Sequence, residues 1–236
     1  CSPGSRLGIV AESFPEILPE EVEGLHFHTL CESGADDLEK TLVAFEKRFG
    51  KYIPRMKWVN MGGGHLMTRK GYDVEKLIGI LRDFKKRWPV HVILEPGSAF
   101  AWDTGVLVSE VLDVVENKGI KTAMVNVSFT AHMPDCLEMP YKPRITGASS
   151  EPVAGKSAYR LGGNSCLSGD FVGDWWFDRE LKPGDRIIFE DMIHYTMVKT
   201  NFFNGVKHPS IGIIQYDGQF KLIREFGYAD YKNKLS

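Results

Sequence analysis

The sequence predicts two regimes in one chain: an α/β part over residues 1–97 and an antiparallel β-domain over residues 98–236. Three observations carry that prediction. Up to residue 97, strand-like runs alternate with amphipathic helical stretches, the pattern of a parallel sheet covered by helices. After it, Val-, Thr- and Ile-rich runs are separated by hairpin chemistry such as Tyr216-Asp217-Gly218. The polar residues of the first part collect where its strands end, at His28, at Gly62, Gly63 and Gly64, and at Glu95. Strand C-termini are where α/β folds place their chemistry.

Taken in order, Ser5 to Val10 is a short strand candidate, and Glu12 to Glu23, interrupted by Pro15 and Pro19, supports no more than one or two broken helical turns. Leu25 to Leu30 alternates like a strand. Ala35 to Phe49 carries Leu38, Leu42, Val43, Phe45 and Phe49 at helical spacing, with Asp36 and Asp37 at its positive end. Lys57 to Met61 is a strand that stops at three glycines. Val74 to Trp88 is a helix stopped by Pro89, and Val90 to Leu94 is a strand ending in Glu95-Pro96-Gly97. In the second part, Ala101 to Val115, Thr122 to Phe129, Arg186 to Phe189, Ile211 to Ile214 and Phe220 to Ile223 read as β. Residues 130–160 are rich in Pro and Gly and read as long loops, and Asp191 to Phe203 as a helix.

Composition narrows the function classes. The 236 residues are 43% hydrophobic and 25% charged, enough for one large or two modest cores. With 29 basic and 31 acidic residues the net charge is −2, which leaves no basic surplus for nucleic acid or an anionic membrane. No apolar run approaches the roughly 20 residues of a membrane span. Cys1, Cys31, Cys136 and Cys166 form no CxxC pair and no zinc spacing, so reduced thiols in a cytoplasmic protein without a metal are expected. Cys1 to Val10 has no signal-peptide regions and reads as the middle of something, with residues expected upstream.

The chemistry begins at Trp58 to His65, where an apolar strand runs into Gly62-Gly63-Gly64 and a helix follows. Glycine N–H groups approach an anion closely, and a helix N-terminus adds positive potential, so the turn suits a phosphate. An ordinary tight βα turn has the same look. His28 at a strand end suits ring stacking or proton transfer, although hydrogen-bonded core histidines are more common. Glu95 at the end of an apolar strand is costly unless it meets a positive partner such as a protonated ring nitrogen. Cys166 lies in the polar loop from Gly162 to Asp170, the partly exposed setting a reactive thiol needs, and Asp170 suits a cationic substrate group. Arg6 suits an anion, and Tyr195 offers a hydroxyl. A phosphate turn, a carboxylate for a ring nitrogen, a stacking imidazole and a polar thiol together suit pyridoxal phosphate.

His26-Phe27-His28, Gly62-Gly63-Gly64, Glu95-Pro96-Gly97, the loop from Cys166 to Asp170 and His194-Tyr195-Thr196 stand in the order and spacing of a known family. The whole chain resembles the fold-type III pyridoxal-phosphate decarboxylases. The segments Cys1 to Gly8, His26 to Glu32, Asn60 to His65 and His132 to Pro140 are most similar to the branch acting on carboxynorspermidine and carboxyspermidine. The resemblance implies the C-terminal part of a (β/α)8 barrel followed by a β-domain in which 191–204 packs back toward the active site. It implies pyridoxal 5'-phosphate as cofactor and a homodimer with shared active sites. His28 would stack on the cofactor, Gly62, Gly63 and Gly64 would hold its phosphate, and Glu95 would pair with its ring nitrogen. Tyr195 would lie near the phosphate, with Arg6 and Ser98 as further cofactor residues. Cys166, from the partner subunit, would return a proton. Asp170, and with it His132, Asp135 and Glu138, would receive a polyamine substrate.

Two departures accompany the resemblance. Ser98 follows Glu95-Pro96-Gly97 where ornithine and diaminopimelate decarboxylases usually have Arg, which argues against those specificities. No position matches the family's Schiff-base lysine, and Lys51, Lys57 and Lys70 stand in the wrong context. A diaminopimelate, ornithine or arginine decarboxylase is the alternative within the family. A non-catalytic regulatory homologue is the alternative outside catalysis.

Overall fold

The computed structural model describes residues 3–236; Cys1 and Ser2, which open one of the motifs above, lie outside the described residues. The chain divides into two compact units, the first ending at Trp102 and the second spanning Asp103–Ser236. The sequence-based boundary at 97/98 falls five residues earlier, inside the irregular stretch that follows the last strand of the first unit.

The first unit is a βαβαβ succession. Strands β1 (Gly24–His26), β2 (Trp58–Asn60) and β3 (His91–Ile93) lie in sequence order, parallel, with Gly24 opposite Trp58 and Trp58 opposite His91. Helices α1 (Ala35–Phe49) and α2 (Val74–Arg87) make the crossovers. Both helices carry the expected end chemistry. Asp37 Oδ2 accepts the Gly34 N–H at 3.1 Å, and Asp73 Oδ1 accepts the Lys76 N–H at 2.8 Å. Leu38, Leu42 and Phe45 of α1 and Leu77 and Phe84 of α2 are buried with Leu25, Val59 and Met61 of the sheet. Each such side chain contributes about 1.5–3 kcal/mol on leaving water.

Residues 5–10 form no strand, contrary to the expectation. Leu7 and Ile9 alternate in sequence but are 60% and 59% exposed, so the segment has no buried face to hold it in a sheet.

The second unit is built on a six-stranded sheet ordered β6 (Ala148–Ser149), β8 (Phe171–Phe177), β7 (Ser157–Gly162), β5 (Ile120–Val125), β4 (Val106–Asn117), β9 (Arg186–Glu190). A separate hairpin pairs β10 (Ile211–Ile214) with β11 (Phe220–Arg224). The sheet is mixed rather than purely antiparallel, because β5 and β7 run parallel, Thr122 opposite Arg160. The expected long loop between them contains two short helices, α3 (Phe129–His132) and α4 (Asp135–Glu138), and the start of β7. The expected helix over residues 191–203 shrinks to α5 (Tyr195–Val198) and a 3-10 turn at Phe203–Gly205. Asp191 and Asn204 adopt positive φ of 58° and 57°, values that interrupt a helix. A last helix, α6, spans Tyr228–Leu235. Trp175, Tyr159, Phe129 and Phe189 are fully or nearly fully buried at the centre of this unit. No described helix is long and apolar enough to cross a membrane.

Candidate active site

In the first unit the parallel ladder continues past the formal strand ends. Phe27 N–H donates to Asn60 O, Met61 N–H to Ile93 O, and Glu95 N–H to Gly62 O at 2.8 Å. This fixes the positions of His28, the glycine turn and Glu95 on backbone rather than on mobile side chains. Gly62 and Gly64 take φ of 71° and 85°. A Cβ on Gly62 would lie 2.5 Å from Phe27 O, and one on Gly63 or Gly64 would strike the backbone oxygen of Glu95 or Leu30. The three glycines are therefore required by close packing between neighbouring strand ends.

Asn60 joins this turn to the carboxylate. Its Oδ1 accepts the Gly62 N–H at 2.9 Å and its Nδ2 donates to Glu95 Oε1 at 2.7 Å. The other carboxylate oxygen, Oε2, lies 3.5 Å from His26 Nε2 and 3.8 Å from His28 Nδ1. The Asn60 hydrogen bond, and after it the adjoining His26 and His28, hold the Glu95 carboxyl below the usual carboxylate range, so it is an anion at neutral pH. His28 Nδ1 also accepts the Gly63 N–H over a long 3.4 Å, and the Gly64 N–H has no hydrogen-bond partner among the described residues. His65, directly after the glycines, is buried with both ring nitrogens unpartnered, and burial, with His28 nearby, pushes its pKa down.

The unit thus brings together His28, Gly62, Gly63, Gly64 and Glu95. Ser98 is buried at the start of a 3-10 turn, Ser98–Phe100, pinned by Thr68 Oγ1 on Ala99 O. Arg6 is exposed, and among the described residues no hydrogen bond or ion pair joins it to the cluster. Asn60, His26 and His65 were present in the motifs but had no role assigned from sequence. The signal was there: His26 and His28, two apart at a strand end, share one face.

In the second unit, Cys166 is exposed at the tip of a loop closed by the Gly163 N–H on Asp170 O at 2.7 Å and the Asp170 N–H on Leu167 O at 2.9 Å. Asn204 Oδ1 accepts the Cys166 N–H at 3.2 Å. Asp170 is 4% exposed and serves the loop itself: Oδ1 accepts the Thr130 N–H at 3.0 Å and Oδ2 the Ser165 N–H at 3.1 Å. A Cβ on Gly163 would collide with this carboxylate.

Asp135 is also buried. Its Oδ2 accepts Tyr141 OH at 2.5 Å and Thr196 Oγ1 at 2.8 Å, while Oδ1 has no partner. Burial, then the hydrogen bond to Asp135, drives the Tyr141 pKa up, and burial pushes the neighbouring Cys136 thiol up to about 12. Glu138 is exposed and pairs with Lys199 at 2.7 Å. His132 is buried, accepts the Ser128 N–H on Nδ1 at 3.1 Å, and is pulled down to about 4, by burial first and His208 second. Tyr195 is 54% exposed at the start of α5.

Comparison with known proteins matches residues 20–193 to the family of the pyridoxal-dependent decarboxylase, C-terminal sheet domain. A carboxyaminopropylagmatine decarboxylase from Synechocystis sp. is 55% identical over 236 residues, covering 100% of this chain and 61% of that protein. A carboxynorspermidine/carboxyspermidine decarboxylase from Campylobacter jejuni is 46% identical over 241 residues, covering 98% of this chain and 63% of that protein. The crystal structure of carboxynorspermidine decarboxylase complexed with norspermidine from Campylobacter jejuni superposes with a TM-score of 0.90 at 46% identity, over 98% of this chain and 66% of that one. The chain thus spans just under two thirds of these relatives.

Proposed function

The chain belongs to the pyridoxal-dependent decarboxylase family, and from that premise we propose that it takes part in decarboxylating carboxynorspermidine or carboxyspermidine to norspermidine or spermidine, with pyridoxal 5'-phosphate as cofactor. The observation that carries the reading is the Glu95 carboxylate, fixed by Asn60 and the backbone ladder, ionised, and 43% exposed beside His28 and the glycine turn. A protonated ring nitrogen fits that carboxylate, an aromatic ring fits the half-exposed His28 imidazole, and a phosphate fits the Gly63 and Gly64 N–H groups.

When bound, the cofactor supplies an electron sink for the pair left as the carbon–carboxylate bond breaks. Glu95 keeps the ring nitrogen protonated, which the depressed pKa of its carboxyl permits at neutral pH. His28 would pack against the cofactor ring and orient it. Ser98, Arg6 and Tyr195 are proposed as further cofactor residues. The Cys166 thiol, exposed at its loop tip, returns the proton to the carbon that has lost carbon dioxide. The proposed working form is a cytoplasmic homodimer in which each Cys166 serves the site of the second copy. Asp170 gives the loop its shape. Glu138 is the acid proposed to meet an ammonium of the polyamine tail, while Asp135 and His132 hold the segment that presents it.

The 55% identity to a carboxyaminopropylagmatine decarboxylase favours a second reading, the same chemistry on a substrate with a guanidinium tail. Mass spectrometry of products formed from an equal mixture of carboxynorspermidine, carboxyspermidine, carboxyaminopropylagmatine and diaminopimelate separates the readings. Norspermidine and spermidine are expected. Dominant aminopropylagmatine establishes the second reading. Lysine alone overturns both, and no product from any substrate favours the non-catalytic homologue.

A further inference from the structure

Glu95 Oε2 faces two imidazole nitrogens, His26 Nε2 at 3.5 Å and His28 Nδ1 at 3.8 Å, and the three atoms lie within 4.8 Å of one another. All three side chains are accessible, at 47%, 51% and 43% exposure for His26, His28 and Glu95. A tetrahedral zinc ion with ligands near 2.0–2.1 Å holds neighbouring ligand atoms about 3.4 Å apart. The two measured distances are within about half an ångström of that spacing, a shift that side-chain rotation supplies. Two imidazoles and a carboxylate are a donor set suited to zinc and its divalent neighbours, and a three-ligand site leaves a coordination position open.

The surroundings strengthen the case. Asn60 Nδ2 binds Glu95 Oε1 at 2.7 Å, which orients the carboxylate and leaves Oε2 for the ion, as outer-shell partners of metal ligands do. His26 closes β1, and the backbone bonds from Phe27 to Asn60 and from Glu95 to Gly62 hold both ligand-bearing segments in register. The competing bond at His28 Nδ1, from the Gly63 N–H, is long at 3.4 Å and is displaced by an ion. Among the described residues no other group of three such side chains converges in this way.

We propose that His26, His28 and Glu95 form a divalent transition-metal site in the cofactor-free protein, one that zinc(II) or cobalt(II) occupies in place of the aromatic cofactor. The site stands on these side chains alone; the exclusion of cofactor rests on the reading given above. Metal would then block loading of the cofactor, because the carboxylate and the imidazole it uses are the same.

Cobalt(II) titration of the cofactor-free protein tests this through the visible d–d bands of bound cobalt. A band saturating at one cobalt per chain and bleached by excess zinc(II) is expected. His26→Ala is expected to weaken cobalt binding at least tenfold, while His91→Ala, on β3 outside the cluster, leaves it unchanged; circular dichroism checks that both fold. No band at millimolar cobalt overturns the proposal, as does a band that survives in both His26→Ala and Glu95→Gln. Pyridoxal 5'-phosphate binding without metal is read separately by its own absorbance. Cofactor that binds and bleaches the cobalt band supports both readings. Cobalt binding without any cofactor binding keeps the metal site and overturns the cofactor reading. Simultaneous binding of both without competition overturns their mutual exclusion.

Discussion

The two units use the same residue types in opposite ways. In the first, the acid and imidazoles at the strand ends stand partly in water, with His28 51% and Glu95 43% exposed. In the second, Asp170, Asp135 and His132 are 4%, 6% and 1% exposed; Asp170 has both carboxylate oxygens taken up, while Asp135 Oδ1 and His132 Nε2 have no hydrogen-bond partner. Cys166, Tyr195 and Glu138 are the candidates left accessible there. The difference follows from the backbone. A parallel ladder fixes strand ends without help from side chains, so their polar groups are free for ligand. The irregular stretches at α3 and the Cys166 loop have no ladder, so the Asp170 carboxylate takes up backbone N–H groups of both instead. Substitutions should therefore separate into those that change chemistry and those that change stability.

The largest expected effect is on turnover. Cys166→Ala should lower kcat by about 10²–10⁴-fold, the range for loss of a positioned proton donor. Its exposed side chain predicts an unchanged urea unfolding midpoint, and a matching loss of stability would make it a structural residue. Next comes pH. With a folded-state value of about 4 against 6.5 unfolded, His132 binds fewer protons folded than unfolded between those values. Its contribution is therefore full above pH 6.5 and lost as pH falls to 4, about 3 kcal/mol in all. Urea titrations at pH 7 and pH 4.5 on wild type and His132→Asn check this, since the variant should lose that part of the slope. Smaller again, Asp170→Asn turns an amide NH2 toward either Thr130 N–H or Ser165 N–H and should cost about 1–3 kcal/mol. Glu95→Gln should move the unfolding midpoint least, as for other exposed pairs.

Much of the first unit was legible from periodicity. Leu38, Leu42 and Phe45 mark α1 at its observed ends, and Pro89 stops α2 where expected. The strand ends bearing His28, Gly62 and Glu95 were legible too, because apolar runs break there. The role of Asn60 depends on which strands are neighbours, and no local pattern carries that, whereas the i, i+2 spacing of His26 and His28 does place both on one face. In the second unit, β8 holds Trp175, Trp176 and Phe177 but follows a Gly- and Ser-rich loop that masks it, and the parallel pairing of β5 with β7 exists only through a long crossover. The helix expected over residues 191–203 has no breaker in its sequence; the positive φ at Asp191 comes with a tertiary bond, Asp103 N–H to Asp191 Oδ1 at 2.8 Å. Asp170 and Asp135 are expected as substrate ligands from residue type and family resemblance, and their burial is a product of tertiary packing that no local pattern carries.

The most direct test of the strand-end site is the dissociation constant for pyridoxal 5'-phosphate in wild type, Glu95→Gln and Asp170→Asn. The Glu95 variant should bind at least tenfold more weakly with its unfolding midpoint intact, because a neutral amide cannot hold the ring nitrogen protonated. The Asp170 variant, though less stable, should bind within about twofold of wild type, since a tenfold change corresponds to about 1.4 kcal/mol of lost contact. Wild-type affinity in Glu95→Gln would contradict the assignment of this cluster to the cofactor.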